Sequence, residues 1–507
     1  MSDPFFSRKR KRGPARDGSA GLPSRVVSAP SREVEDEEIT DPETSDEEMQ
    51  AADTDGSHTA VESEDESDDD NDEEFANETA TDKRRRLAQQ YIENLQQEFN
   101  TAGFDARDVD KDNLAARLKE DVAEDQGRLY RFLTQSFTFL RPARNFLSYK
   151  GMLTPTAIAG ADSTLYTVSK DRTLSKWDAT TGKRLKFKRG DHDKDILCIA
   201  VSSDGKFIAT GGKDRKINIY SPELDLLKTF TQHRDLVLCL SFRRGTHQLY
   251  SGSADRTIKS WSLDALSYVE TLFGHQDAIN DISALAQERC ITAGSRDRTV
   301  RLWKIVEESQ LIFRGGGPRS GQKLQFVEGS IDAVAMVDHH IFVTGSDNGT
   351  LSLWTLQRKK PVYTVHLAHG LDTVLTPEKY TAEKVQFPAP PKQQPRWITC
   401  LAALAYADIV VSGSWNGVKV WRVAVQDPER LDVDVVGATG GKRKQYSLDF
   451  VAEFKLPGVV NSITILENGK DEIRICAAVG RELRGGRWMQ RDAKNGVHVL
   501  TVKKKSE

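Results

Sequence analysis

The stretch Ser251-Gly-Ser-Ala-Asp-Arg-Thr-Ile-Lys-Ser-Trp261 joins a hydroxyl residue, a tight turn at an aspartate and a short apolar strand that ends in tryptophan. The pattern closes again on an aromatic residue at Trp177, Tyr220, Trp303 and Trp354, in degenerate form at Trp421 and in looser form at Trp488. From 177 to 303 the closing aromatic residues are 43, 41 and 42 residues apart. This is the period of a four-stranded propeller blade, so the sequence predicts an all-β protein with a seven-bladed β-propeller.

Three further polar positions recur in the well-formed copies. A histidine precedes the first strand of the blade, a serine or threonine lies on the second strand, and the turn aspartate follows. The pattern resembles the WD repeat, a family in which these residues and the tryptophan form a hydrogen-bonded chain. The resemblance implies two complete tetrads, namely His233, Ser251, Asp255 and Trp261, and His275, Thr292, Asp297 and Trp303.

The tetrads contain the residue types of a catalytic triad, but we interpret them as structural. The set recurs in every well-formed blade, which an active site does not require. Two copies depart from the pattern: Tyr220 replaces the tryptophan expected after His192, Thr210 and Asp214, and the first blade has no clear histidine. No phosphate-binding loop, metal cluster or unique pair of nucleophile and base is present in the sequence, so we expect neither an enzyme nor a cofactor.

Domain boundaries follow from the repeats and from charge. A propeller of about 350 residues accounts for most of the chain, and we place it at 146–507, after a helical segment at 83–145 and a disordered arm at 1–82. Within the arm, residues 33–82 contain 24 Asp and Glu and no Lys or Arg, a composition that cannot bury enough apolar surface to fold. The rest of the chain holds 72 Lys and Arg against 52 Asp and Glu, so the folded part is basic.

Two features of the arm suggest nuclear import and phosphorylation. The basic block Arg8, Lys9, Arg10, Lys11 and Arg12 is typical of a nuclear localisation signal, with nonspecific nucleic-acid contact as the alternative. Three serines, Ser45, Ser63 and Ser67, precede acidic residues and would suit an acid-directed kinase.

Helical periodicity follows the arm. Leu87, Tyr91, Leu95 and Phe99 recur every four residues after the basic block Lys83-Arg-Arg-Arg86, and a second amphipathic stretch runs from Asp112 past Gly127 to Leu133. We expect these helices to pack on the side of the propeller or on a partner, because short amphipathic helices are marginal alone.

The cysteines and the hydropathy pattern point to a reducing compartment. Five cysteines fall within apolar strand runs without a CxxC pair, which favours buried free thiols over a metal site. No apolar run is long enough to cross a membrane and no signal-peptide core follows Met1, so we expect an intracellular protein without membrane association.

An arc of arginines is the candidate binding surface. Arg172, Arg215, Arg256 and Arg298 follow the turn aspartate in four consecutive blades, and Arg481 and Arg484 lie in the corresponding turn of the last blade. We expect these side chains on one rim, where guanidinium groups suit phosphate oxygens. Local turn chemistry, with each arginine paired nearby or solvated, is the alternative.

Two insertions interrupt the later repeats. One covers about 366–396 and is rich in proline, and the other covers about 424–448 and contains the cluster Lys442-Arg-Lys444. Insertions on a repeat scaffold usually mark a surface elaborated for binding.

The chain as a whole resembles a narrower family. Three parts of the chain are similar to the WD-repeat subunits of the U-three small nucleolar ribonucleoprotein, of the box C/D class. They are the helix that contains Lys-Arg-Arg-Arg-Leu-Ala and Tyr-Ile-Glu-Asn-Leu-Gln, the repeat Ser414-Trp-Asn-Gly417, and the ending Ala478-Val-Gly-Arg-Glu to Asn495-Gly-Val-His-Val-Leu500. The resemblance implies a nucleolar protein that recognises the box B/C region of U-three RNA together with a kink-turn-binding protein. It also implies other box C/D core proteins and small-subunit processome proteins as partners, and a role in early pre-ribosomal RNA cleavage.

These observations support a non-enzymatic scaffold that binds a structured small nucleolar RNA through its basic face. The rival interpretation is a WD-repeat adaptor of the chromatin or ubiquitin-ligase type, which would hold a peptide in the central channel without touching RNA.

Overall fold

The computed structural model describes residues 130–315, 326, 329–372, 393–426, 445–469, 471–486 and 490–505. Within these residues the chain forms strands and no α-helix. The acidic arm and the helices expected before residue 130 lie outside the described residues. The predicted all-β WD-repeat propeller is confirmed.

Five antiparallel sheets of four strands form the first five blades, each with its strands in sequence order from the inner to the outer edge. Blade one contains β2 (Pro155–Ala161), β3 (Thr164–Ser169), β4 (Thr173–Asp178) and β5 (Arg184–Arg189). Blade two contains β6 (Ile196–Val201), β7 (Ile208–Gly212), β8 (Ile217–Tyr220) and β9 (Leu226–Phe230). Blade three contains β10 (Val237–Phe242), β11 (Gln248–Ser253), β12 (Thr257–Ser262) and β13 (Ser267–Phe273). Blade four contains β14 (Ile279–Ala284), β15 (Arg289–Gly294), β16 (Thr299–Lys304) and β17 (Ser309–Arg314). Blade five contains β18 (Ile331–Asp338), β19 (Ile341–Ser346), β20 (Leu351–Thr355) and β21 (Tyr363–Val365).

Blades six and seven share one six-stranded sheet, because each of two long strands supplies two of the strand positions in these blades. Its strands are β1 (Phe137–Leu147), β22 (Cys400–Ala403), β23 (Ile409–Gln426), β24 (Gln445–Asn468), β25 (Glu472–Gly480) and β26 (Gly496–Lys504). Strand β23 turns back at Asn416 and Gly417, whose φ angles are 109° and 143°. The first part of β24 pairs with β23, and the second part, from Val459, pairs with β25. The sheet therefore contains two blades, which brings the total to seven.

The ring closes by pairing the first described strand with the last. Strand β1 pairs antiparallel with β26, with Phe146 opposite His498 and Leu147 opposite Val497. The inner strand of blade seven in turn contacts β2 of blade one. The pairing makes β1 the outer strand of blade seven, so that β26 is no longer an edge open to pairing with another chain.

Neighbouring blades pack directly on each other through small residues. A Cβ atom at Gly252 would lie 2.5 Å from Cys239 Sγ and 2.8 Å from Cγ2 of Ile279, on the inner strand of the next blade. The glycine of the Ser-Gly-Ser pattern thus permits the close approach of two sheets. All five cysteines are free and buried in these layers, as the sequence predicted.

The predicted boundary between helical segment and propeller needs correction. Residues 137–145, assigned to the helical segment at 83–145, belong to strand β1. Leu133, placed in the second amphipathic helix, lies in an irregular segment that leads into a turn at 134–136, and a buried carboxylate holds its backbone. Oδ1 of Asp408 accepts the backbone N–H groups of Leu133 at 2.8 Å and Thr134 at 3.0 Å, and these bonds replace the helical pairing.

Candidate nucleic-acid interface

The tetrad of blade three forms one continuous hydrogen-bonded chain. Trp261 Nε1 donates to Ser251 Oγ at 2.9 Å, Ser251 Oγ lies 2.8 Å from His233 Nε2, and His233 Nδ1 lies 2.9 Å from Asp255 Oδ2. In blade four the corresponding three distances are 2.8 Å, among Trp303, Thr292, His275 and Asp297. The structure thus brings together all eight residues that the sequence placed in the two tetrads.

The aspartate of each tetrad is held in its ionised form. Burial by itself would raise the pKa of Asp255, but hydrogen bonds from His233 and Thr257 and the proximity of the imidazole lower that pKa well below its usual range. The pKa values of Asp214 and Asp297 are lowered by the same arrangement. The aspartate also accepts the N–H of the residue two positions later, as in Thr257 N to Asp255 Oδ1 at 2.9 Å, so the tetrad fixes the conformation of the turn.

Blades one and two each have a tyrosine where the repeat lacks a member. In blade one, which has no tetrad histidine, Tyr149 donates its hydroxyl hydrogen to Asp171 Oδ2 at 2.6 Å. Trp177 Nε1 still donates to Thr167 Oγ1 at 2.9 Å. In blade two, Tyr220 is buried at the tryptophan position. The sequence pattern missed Tyr149 because tyrosine does not belong to the repeat signature.

Blades five and six also differ from the sequence assignment. In blade five the turn residue is Asn348 instead of an aspartate, and its Oδ1 accepts the N–H of Thr350 at 3.0 Å, whereas the neighbouring Asp347 accepts the N–H of Gly329 at 2.9 Å. In blade six, His369 lies 2.8 Å from Ser412 Oγ through Nε2. The repeat pattern did not identify this histidine, because it lies 43 residues before the serine, whereas the spacing is 17 or 18 residues in blades four and three.

The four arginines after the turn aspartate share one conformation and one face. Arg172, Arg215, Arg256 and Arg298 have φ angles of 63°, 67°, 68° and 52°, and all four side chains are exposed. Each follows the second strand of its blade, so the four turns lie at the same end of the ring. We call this set the arginine arc.

The arginine arc occupies positions that favour glycine. A left-handed conformation costs a residue with a side chain roughly 1 to 2 kcal/mol relative to glycine. Blade five places Gly349, with a φ angle of 73°, in the same turn position. Four consecutive blades therefore carry arginine where the fold itself is better served by glycine.

The arc guanidinium groups are available for contact. Within the described part of the chain none of them forms an ion pair, and Arg172 Nη1 donates only to the carbonyl oxygen of Asp193, at 3.3 Å. A neighbouring lysine is different: Lys170 Nζ is buried against Glu482 Oε2 at 3.0 Å. The arc arginines thus remain exposed while the lysine beside them is used to join blades one and seven.

Blade seven extends the same face with a long loop. Arg481 is exposed at the start of this loop, and its Nε donates to the carbonyl oxygen of Ala493 at 2.8 Å. Arg484 points inward instead: its Nη2 donates to the carbonyl oxygen of Asn280 in blade four at 2.8 Å. Because this guanidinium spans the central channel, we remove Arg484 from the predicted phosphate contacts.

Arg484 lies in a channel that contains half-buried carboxyl groups. Burial raises the pKa of Asp281 to about 6, although two backbone N–H groups and Arg484 act in the opposite direction. Burial and the charge of Asp347 raise the pKa of Asp332 to about 6. The inward arginine therefore offsets negative charge at the axis of the ring.

Several sequence predictions lie outside the described residues. These are the basic block at 8–12, the three serines of the acidic arm, Trp488, and the centres of the two insertions at 373–392 and 427–444. Among the described residues, no group of three or more potential metal ligands is present. No described helix is long and apolar enough to cross a membrane.

Comparison with known proteins gives a consistent result. The family model "WD domain, G-beta repeat" matches residues 183–221, 224–262 and 266–304. The chain is 35% identical to Ribosomal RNA-processing protein 9 of Saccharomyces cerevisiae over 99% of both chains. It is also 35% identical to U3 small nucleolar RNA-interacting protein 2 of Homo sapiens, over 84% of this chain and 83% of that one. The solved structure "Crystal structure of RRP9 WD40 repeats" matches with a TM-score of 0.60 and 36% identity, covering 72% of this chain and 99% of the other.

Proposed function

The chain belongs to the family of U3 small nucleolar ribonucleoprotein WD-repeat proteins that includes Ribosomal RNA-processing protein 9 and U3 small nucleolar RNA-interacting protein 2, and from this premise we propose that it is a non-catalytic scaffold that binds the U3 small nucleolar RNA directly through its arginine arc. Its role is in pre-ribosomal RNA processing toward the small ribosomal subunit, and its place of action is the nucleolus. The box B/C region of the RNA is the expected target, next to a kink-turn-binding protein and the other box C/D core and processome proteins.

The arginine arc is the observation that carries this proposal. These arginines are difficult to explain by folding alone. They adopt a conformation that favours glycine, their side chains are exposed, and none of them forms an ion pair within the described residues. Their planar guanidinium groups can contact phosphate oxygens in pairs. The geometry of an RNA backbone differs between helical and bulged segments, so an arc of phosphate contacts recognises RNA shape more than base sequence.

The channel geometry weighs against the rival adaptor function. A peptide reader needs an open central channel, but the side chain of Arg484 reaches from blade seven to the Asn280 carbonyl of blade four. The loop that carries it is tied down on both sides, because Asn461 Oδ1 accepts the N–H of Arg484 at 2.9 Å and Asn461 Nδ2 donates to the Glu482 carbonyl at 3.0 Å. The exposed positive charge lies on the rim instead.

The salt dependence of RNA binding tests the proposal. Replacing all four arc arginines with glycine removes charge at positions where glycine suits the backbone, so the variant should keep its thermal stability or gain some. Binding of transcribed U3 RNA should weaken, because each phosphate that the arc no longer neutralises keeps its counterion. The slope of log affinity against log salt between about 50 and 200 mM should therefore decrease by roughly 3.

A matched variant controls for total charge. Lys183, Lys186, Lys206 and Lys228 are exposed in blades one and two but lie on outer strands or in other turns. Changing these four lysines to glutamine removes the same charge, and the salt slope should stay near that of the unmodified chain. Equal slopes for the arginine and lysine variants would contradict the proposed interface.

A further inference from the structure

A pocket on blade seven adjoins the face that carries the arginine arc. It has a volume of about 440 Å³ and lies between strands β1 and β26, the start of the blade-seven loop and the turn at Pro457. Arg481 and Lys494 contribute to its wall. Lys170 of blade one is bonded to Glu482 in this loop, which places the pocket beside the blade-one end of the arc.

Two aromatic rings form one side of the pocket. Phe146 and His498 are cross-strand partners, and their ring centroids lie 4.7 Å apart. The Phe146 side chain is 43% exposed, so its ring is open to contact with a ligand. Gly496 leaves room for this ring, because a Cβ atom there would lie 2.5 Å from Cζ of Phe146.

The polar groups around these rings suit a nucleotide. The guanidinium of Arg481 is oriented by the bond from its Nε to the Ala493 carbonyl, at 2.8 Å. Lys494 is exposed beside it, and Asp492 supplies a carboxylate that can accept hydrogen bonds from base amino groups. Burial and the charge of Arg144 lower the pKa of His498, so its ring is a neutral stacking surface at neutral pH.

We propose that this pocket holds one unstacked nucleotide of single-stranded RNA, with the base against Phe146 and His498 and the phosphate beside Arg481 and Lys494. An aromatic platform next to basic side chains is the combination by which proteins hold single-stranded RNA. The pocket thus adds a base-stacking subsite to the phosphate contacts of the arc, and the proposal rests on the RNA-binding function above.

The test compares leucine variants at two exposed phenylalanines. Phe146→Leu keeps apolar packing over Gly496 but removes the aromatic face. Phe187→Leu makes the same change on the outer strand of blade one, where the ring is 56% exposed. With transcribed U3 RNA as the probe, the first variant should bind about tenfold more weakly with an unchanged salt slope, because stacking involves no counterion. The second should bind like the unmodified chain.

The outcomes separate the two proposals. If the unmodified chain binds RNA with a salt slope that depends on the arc while Phe146→Leu has no effect, the pocket proposal is overturned and the arc remains. If the unmodified chain does not bind the RNA, both proposals fall. Thermal unfolding of each variant checks the fold, and Phe146→Trp, which restores an aromatic face, should restore binding if stacking is the cause.

Discussion

At the level of single residues, the tetrad of blade three has one direction of donation. The indole N–H of Trp261 donates to Ser251, the Ser251 hydroxyl can donate to His233 Nε2, and the imidazole N–H at Nδ1 can donate to Asp255. In this arrangement each of the three contacts has one donor and one acceptor. Threonine serves equally well in blade four, where Thr292 has the same contacts.

Removing the central hydroxyl should destabilise the propeller. Ser251→Ala leaves both the Trp261 indole N–H and His233 Nε2 without a partner in a buried site, so we expect a loss of about 1 to 3 kcal/mol in the free energy of unfolding. Ser251→Thr keeps the hydroxyl and should retain most of the stability. Denaturant unfolding of the two variants measures the difference, and an equal loss in both would show that the hydroxyl is not the cause.

Sequence reasoning found most of the polar positions because they recur at a fixed spacing. It located the complete tetrads and the arc arginines, but it could not show that the arginines adopt a left-handed conformation. It missed Tyr149, which replaces a histidine through a different element, and His369, which an insertion separates from its blade. Irregular substitutions of this kind carry no periodic signal.

At the level of elements, strand β1 and the segment before it complete the ring. The sequence Phe137-Thr-Phe-Leu alternates buried and exposed side chains, since Phe137 and Phe139 are 4% and 5% exposed and Leu140 is 89% exposed. A period of two indicates a strand, but the helical pattern that precedes it extended our helix too far. The strand also depends on a partner from the other end of the chain, which no local pattern reveals.

The Asp408 carboxylate should be necessary for holding the segment before β1. Asp408→Ala leaves the N–H groups of Leu133 and Thr134 without their acceptor, so we expect a loss of about 2 to 4 kcal/mol in the free energy of unfolding. Limited proteolysis should also cut the chain faster between 130 and 147.

Asp408→Asn is the control for this prediction. It keeps one carbonyl acceptor without the charge and should lose less stability than the alanine variant. Unchanged proteolysis of Asp408→Ala would show that other contacts, such as the ion pair between Arg131 Nη2 and Glu467 Oε1 at 2.5 Å, are sufficient to hold the segment.

At the level of the whole molecule, the blades meet around a channel whose charge depends on pH. The pKa of Asp332 is raised to about 6, so the folded chain binds this proton more tightly than the unfolded chain. The protonated carboxyl favours the folded state fully below the unfolded pKa, and this benefit disappears as pH rises through 6. His369 acts in the opposite direction over an overlapping range, because burial, Lys419 and Arg396 lower its pKa to about 3.

A comparison with Asp332→Asn isolates the effect of Asp332 from that of His369. The amide stays neutral, so the stability of the variant relative to the unmodified chain should rise by about 2 to 3 kcal/mol between pH 4 and pH 8, following the raised pKa. Denaturant unfolding across this range gives the measurement. A constant difference between the two proteins would mean that the pKa of Asp332 is the same in the folded and unfolded states.

The blade count and the family could be predicted from the sequence, whereas the arrangement across the ring could not. Repeats at a fixed period define the propeller, and the ends of the chain carry the narrower resemblance. The position of Arg484 in the channel depends on its contact with Asn280 of blade four, and the two residues are 204 positions apart in the chain. Sequence spacing placed this arginine on the rim with Arg481, and only the path of the loop separates the two.

Ultraviolet crosslinking of the tagged chain in cells, followed by sequencing of the attached RNA, tests the central claim most directly. We predict that reads accumulate on U3 RNA near its box B/C element, and that replacing the four arc arginines with glycine lowers this signal while the four-lysine control does not. Crosslinking to no particular RNA, or an unchanged signal in the arginine variant, would contradict the claim and leave the arc as turn chemistry or a protein interface.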